Sequence, residues 1–207
     1  YPFTLSPSGP NSIRGKMQMI PTDIQPTTNN GTRYFVEGQY VVPGESVYGV
    51  HMNNASYKEV TFTSTSNTSG IGKTYHMIPG IYAWQACDPD VVIRDVITVE
   101  EDGGQALGHV GFRASDNGDG TWHYEYVVHN QNSHRSFRSF SLPVPDCVEL
   151  TNIEFVDVHY HSGEVIEGTD WDYSRSSGQV SWSTQSESAN PNANAIRWAT
   201  MYTFRFD

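Results

Sequence analysis

What is scarce in this sequence narrows it first. Charged residues make up only 17%, and the 12 basic residues, set against 23 acidic ones, form no Lys/Arg cluster. Direct binding to a phosphate backbone needs such clusters to release counterions, so nucleic acid is disfavoured unless divalent cations bridge two negative partners. The same net charge of −11 disfavours an anionic membrane surface. No run approaches the roughly 18 apolar residues of a membrane span, and no leader remains before Tyr1, as expected of a processed mature protein. No stretch of ten or more residues carries convincing 3.6 periodicity, which argues against a helical domain. A Gly-x-Ser-x-Gly elbow, a His-Glu-x-x-His helix and a phosphate-cradling loop are all missing. The expectation is a protein that is not an enzyme.

Cysteine is scarce too. Cys87 and Cys147 each sit beside turn residues, as Cys-Asp-Pro and Pro-Asp-Cys. A bridge between them would close a long loop and contribute about 4 kcal/mol in the chain-entropy model. Few charges and many Ser, Thr, Asn and Gly residues suit a secreted or cell-surface protein, where such a disulfide is expected and two buried thiols are the alternative. Sequons at Asn30, Asn54 and Asn67 would mark surface loops.

What is plentiful is aromatic: 9 Phe, 5 Trp and 12 Tyr in a chain that is only 37% apolar. Rings with few aliphatics suit sheets, where they pack across strands. Residues 1–32 stand apart, with Pro2, Pro7, Pro10, Pro21 and Pro26 in a Ser/Thr/Asn-rich stretch. Such prolines forbid a helix and discourage a central strand. An extended arm is predicted there, with 16–20 its one plausible strand. From 33 to 207 a single domain is expected, with strands near 33–42, 57–64, 91–100, 107–114, 122–130, 136–142, 148–161, 179–184 and 196–206. Ser-Asp-Asn-Gly-Asp-Gly before Trp122 is a strong hairpin signal. In the strand that follows, Trp122, Tyr124, Tyr126 and Val128 share one face; near the end of the chain Ile196, Trp198, Tyr202, Phe204 and Phe206 do the same. About ten strands without helices predict an all-β antiparallel two-sheet sandwich, jelly-roll-like, with a closed barrel as the alternative.

Two constellations offer metal ligands. Asp116, Asn117 and Asp119 place three side-chain oxygens in a Gly-rich turn, a beginning of a calcium shell without the distant bidentate Glu. An ordinary hairpin turn would use the same residues. On a strand, Asp157, His159 and His161 would share a face, with Glu164, Glu167, Asp170 and Asp172 following in a loop, a set suited to calcium or another divalent cation. A solvated polar face needs no ion, however, and a glycosidase pair would need carboxylates set about 5–9.5 Å apart, which sequence cannot supply. Among the tryptophans, Trp122 and Trp198 are predicted in the core. Trp171, between Asp170 and Asp172, is the best candidate for contact with a ligand such as a glycan.

Three stretches resemble a family of uncharacterised secreted proteins of environmental bacteria. They are Trp122-His-Tyr-Glu-Tyr-Val-Val-His-Asn130 with Arg138-Ser-Phe-Ser-Leu-Pro143, Phe155-Val-Asp-Val-His-Tyr-His-Ser-Gly163 with Gly168-Thr-Asp-Trp171, and Asn190-Pro-Asn-Ala-Asn-Ala-Ile-Arg-Trp198 through Asp207. The resemblance implies secretion and a β architecture and transfers no catalytic residue. The function expected is therefore an extracellular structural protein that self-assembles through its N-terminal arm into a homo-oligomer or polymer, a filament or surface layer, aided by divalent cations. A carbohydrate-binding module is the second reading, and a cation-bridged scaffold around a polyanion the third.

Overall fold

Aromatic alternation and local turn chemistry produce eleven strands and one short helix among the residues that a computed structural model describes, which are 9, 19–40, 53–101, 103–160 and 165–207. In chain order they are β1 (Tyr34–Gln39), β2 (Ala55–Ser64), β3 (Asn67–His76), α1 (Ile81–Cys87), β4 (Val92–Val99), β5 (Gln105–Asp116) and β6 (Trp122–Asn130). Then follow β7 (Ser139–Pro143), β8 (Glu154–Val156), β9 (Asp172–Ser176), β10 (Gln179–Ser183) and β11 (Thr200–Phe206). Among the described residues no helix is long and apolar enough to cross a membrane.

The chain forms two compact units, one of Tyr1–Tyr34 with Glu59–Lys73 and one of Phe35–Lys58 with Thr74–Asp207. In the smaller unit, residues 21–31 run through successive turns that bury Ile24, and Asn29 fastens them by donating from Nδ2 to the carbonyls of Thr22 and Gln25. Arg33 grips Glu59 with two hydrogen bonds of 2.9 and 2.8 Å, and this pairing holds the Glu59 carboxyl below its usual range. The strand predicted at 16–20 lies mostly outside the described residues.

The larger unit holds a five-stranded antiparallel sheet in the order β4-β5-β6-β11-β8 and a three-stranded sheet in the order β7-β10-β9; a third sheet runs β1-β2-β3. The β5–β6 hairpin forms as its turn signal predicts, with Asp116 opposite Trp122 and positive φ at Gly118 and Gly120. Period two then does the rest. Tyr124, Tyr126 and Val128 of β6 and Tyr202, Phe204 and Phe206 of β11 face the three-stranded sheet, where they meet Phe140, Leu142, Val180 and Trp182. This is the sandwich core, and it is largely aromatic: Phe140 and Phe204 stack with centroids 4.6 Å apart, and Trp182 lies 5.3 Å from Phe204. The opposite face of the five-stranded sheet carries α1, whose Ile81 packs with Val91, Ile93 and Val127. Seven residues suffice for α1 because Gly111 leaves room for it. A methyl there would meet Trp84 at 3.2 Å and Ile81 at 3.4 Å.

Several expectations are corrected. The strand predicted over 148–161 is only Glu154–Val156, and the one over 196–206 begins at Thr200, because Ala199 takes a positive φ of 56°. Trp198 therefore lies outside the strand, and Trp122, at the turn end of the hairpin, is 49% exposed. Cys87 and Cys147 are both exposed and are not joined to each other. The reason is architectural: Cys87 ends α1 on one face of the five-stranded sheet, whereas Cys147 follows β7 in the layer packed on the other.

Truncating Phe204 to Ala should cost about 3–5 kcal/mol, because a fully buried ring is lost from a core that cannot collapse around the gap. Urea unfolding would read this as a lower midpoint with an unchanged slope, whereas Trp122→Ala should shift stability by about 1 kcal/mol or less.

Candidate functional site

The outer face of the five-stranded sheet holds a row of four residues in mutual register. Asp95 of β4 lies opposite His109 of β5, His109 opposite His129 of β6, and His129 opposite Met201 of β11. Directly opposed residues in antiparallel strands project to the same face, so the four side chains form a continuous line. Both histidines are fully buried, while the two ends of the line reach solvent: the Asp95 side chain is 55% exposed and Met201 37%. Burial follows from the neighbours, since Val127 and Leu107 flank the pair and Tyr82 of α1 meets His109 edge-on at 5.5 Å.

His109 Nδ1 lies 3.0 Å from Asp95 Oδ1. In the neutral ring Nδ1 carries the proton and donates it to the carboxylate, which leaves Nε2 as a bare lone pair. That Nε2 has no hydrogen-bond partner among the described residues, and neither nitrogen of His129 has one. The two rings lie 12° from parallel with centroids 5.7 Å apart. Burial lowers the pKa of both, and for His129 burial, reinforced by the nearby His109, brings it to about 3. Two neutral imidazoles are thus held side by side in a dry place. Three of their four nitrogens make no hydrogen bond.

The buried polar residues just beyond β6 behave differently, because theirs are mostly matched. Asn130 donates to the carbonyls of Ser133 and Ile196 and accepts from the Ser133 amide. Asn132 accepts from the Leu107 amide at 2.7 Å, and Glu100 accepts from the Ser133 hydroxyl and the amides of His134 and Arg135. These groups shape a loop. Within the same cluster Gln131 Oε1 is also buried without a partner, although the Gln131 carbonyl accepts from Gln39 at 2.6 Å.

A second feature is the outer edge of β4, which pairs with no strand among the described residues. Val96, Ile97 and Val99 are exposed along it by 38, 52 and 61%. Side chains cover its ends, with Gln85 donating to the Val91 carbonyl, Arg94 to that of Ile93 and Arg135 to that of Val99.

The residues singled out in the sequence fall elsewhere. In the β5–β6 turn, Asp116 accepts from the Gly118 amide at 2.7 Å, and Asp119 accepts from the amide and hydroxyl of Thr121. Asn117 donates to the Thr121 hydroxyl. Asp157 lies just past β8 and accepts from Asn194, a fully buried residue whose carbonyls also take the Trp171 indole and the Tyr202 hydroxyl. Burial, reinforced by the Tyr160 hydroxyl 3.2 Å away, pushes the pKa of Tyr202 up. His159 is exposed, and His161 and Glu164 lie outside the described residues. Among the described residues no three His, Cys, Asp or Glu side chains converge as a metal set. Trp171 is only 4% exposed and stacks on Phe155 in the sandwich core, which removes it as a surface ligand contact. Its acidic neighbours point to solvent because side chains alternate there.

The histidine pair was missed although the sequence contains it. Once Asp116 is set opposite Trp122 by the hairpin turn, counting back along both strands brings His109 opposite His129. Nothing local marks Met201 or Asp95.

Between pH 6.5 and 3 an unfolded His129 binds a proton that the folded one refuses. Stability is therefore full above pH 6.5 and falls as the pH is lowered, by about 1.4 kcal/mol per unit for this one group. Urea midpoints measured at pH 7 and pH 5 should show that loss, and His129→Gln should make the pH dependence shallower.

No protein-family model, curated protein or solved structure matches this chain.

Proposed function

We propose that the protein is an extracellular, non-catalytic structural subunit that polymerises by adding a strand to the free edge of β4. The exposed run Val96, Ile97 and Val99, on an edge that pairs with no strand among the described residues, is the observation that carries this reading. Proteins that remain monomeric blunt such edges with charge, proline or a bulge; β4 carries Arg94 and Asp95 midway, but its second half, Val96-Ile97-Thr98-Val99, has no charge and is a template for another strand. The donor is the N-terminal segment of a second copy, with residues 16–20 as the added strand. Charge favours the pairing. Residues 1–22 contain Arg14 and Lys16 and no acid, so the remaining 185 residues hold ten basic and 23 acidic side chains, a net −13. Glu100, Glu101 and Asp102 follow β4 directly in sequence. Addition of one copy's arm to the next copy's edge is heterologous and propagates unless the rotation closes a ring. Divalent cations between subunits offset the repulsion of their acidic bodies.

Trp122, about half exposed, keeps glycan binding as the second reading, since it offers the free ring face that Trp171 lacks.

Electron microscopy and light scattering of the secreted protein should show polymers, with monomers after deletion of residues 1–18 or after Ile97→Lys. The deletion stops short of the turns around Ile24. Polymers that survive both changes would remove the arm and this edge from the mechanism, and a wild-type monomer under all cation conditions would end the assembly reading.

A further inference from the structure

Three ring nitrogens without partners in a fully buried pair of histidines are a cost that packing alone does not explain. Each unmet buried group forfeits about 1–3 kcal/mol. A phenylalanine or leucine at position 129 would fill the same space with no such loss. We propose that His109, His129 and Met201 form a binding site for copper(I).

The register supplies the convergence. The three residues are consecutive across β5, β6 and β11 on one face, and opposed pairs begin about 4.5–5.5 Å apart at Cβ. His109 is already oriented as a ligand. Asp95 accepts the hydrogen bond of Nδ1–H and leaves the buried Nε2 as the free lone pair, the same arrangement by which a carboxylate fixes the tautomer of metal-bound histidines. His129 makes no hydrogen bond through its ring, so none has to be broken for its terminal torsion to turn and aim a nitrogen at the same point. Met201 brings a thioether, and its partial exposure is the route by which an ion reaches the buried nitrogens.

The donor set selects the metal. The thioether is a soft ligand and the two neutral imidazoles are borderline ones, a set that suits copper(I), which accepts few ligands and carries one charge. Calcium wants six or more oxygens, and structural zinc wants four ligands that usually include thiolate or carboxylate. No third His, Cys, Asp or Glu side chain joins this pair to make such a set among the described residues. A monovalent ion is also the less costly charge to place between Val127, Leu107 and the Tyr82 ring.

The test is an anaerobic titration of the protein against the copper(I)–bicinchoninate complex. Cys87→Ser and Cys147→Ser are introduced first, since exposed thiols would compete. One equivalent of copper(I) should leave the coloured complex, and X-ray absorption should report two nitrogen neighbours and one sulfur. Met201→Leu, at a partly exposed position that tolerates an isosteric change, should weaken binding at least tenfold with the circular dichroism unchanged. His129→Gln should abolish it, and Asp95→Asn should weaken it less than Met201→Leu does. Failure to take copper(I) from bicinchoninate would overturn the proposal. So would binding that is the same in wild type and in Met201→Leu, because the thioether would then play no part.

Discussion

Phe204 is fully buried with four rings around it, drawn from four separate stretches of chain. Phe140 comes from β7, Phe155 from β8, Trp171 from the segment before β9, and Trp182 from β10, with centroids 4.6 to 5.6 Å from that of Phe204. The two sheets of the sandwich meet at this one side chain. Because β11 lies between β6 and β8, the residues of Phe204's own strand that point the other way, Met201, Thr203 and Arg205, are placed on the outer face by the same commitment. The sandwich core and the histidine row are two faces of one strand insertion. Arg205 makes this visible: it pairs with Glu125 at 2.8 Å and lies 3.7 Å from Glu154, spanning the strands on either side of β11. Such half-exposed pairs add little energy, but they agree with the register that the aromatic face dictates.

Polar groups inside this unit are of two kinds. Asn194 and Asn130 act as staples. Asn194 holds Trp171, Tyr202, Asp157 and the Thr169 carbonyl, and Asn130 ties the end of β6 to the loop before β7 and to Ile196. Their amides each offer donors and an acceptor, so a single side chain can serve several backbone groups at once. The imidazoles of His109 and His129 serve no loop. They sit within strands, where the backbone is already paired by the ladder, and their ring nitrogens are surplus to the fold. That contrast separates what holds the protein together from what it has to spare.

Much of the architecture was legible in the sequence wherever the signal was local. The β5–β6 hairpin followed from its Asn-Gly-Asp-Gly turn, and the inward faces of β6 and β11 followed from alternating rings. Sheet β1-β2-β3 was only half seen, because β3 reads Asn-Thr-Ser-Gly-Ile-Gly-Lys-Thr-Tyr-His and is exposed over most of its length, leaving no buried face to print a pattern. α1 is too short for a helical period to appear, and its place is set by the absence of a side chain at Gly111 on another strand. Trp171 was misplaced since its flanking acids suggested a loop in water, whereas alternation turns the ring inward and the acids out. Around Asp157 the strand stops at Val156, so alternation does not align Asp157 with His159, while His161 and Glu164 lie outside the described residues. Asp95 and Met201 had no signal at all. Their significance exists only across strands more than a hundred residues apart.

Strand order also sets the order of events when the chain is made. β11 is the last strand in sequence, yet its place is inside the sheet, not at a margin. Until residues 200–206 have emerged, β6 and β8 each present a bare edge, and Phe140, Phe155, Trp171 and Trp182 have no common ring to pack against. Contacts this distant in sequence close slowly, and half-made sheets with open edges are the species that aggregate. Closure of the five-stranded sheet therefore waits on residues 200–206, and the seven residues of β11 act as the latch that joins β6 to β8.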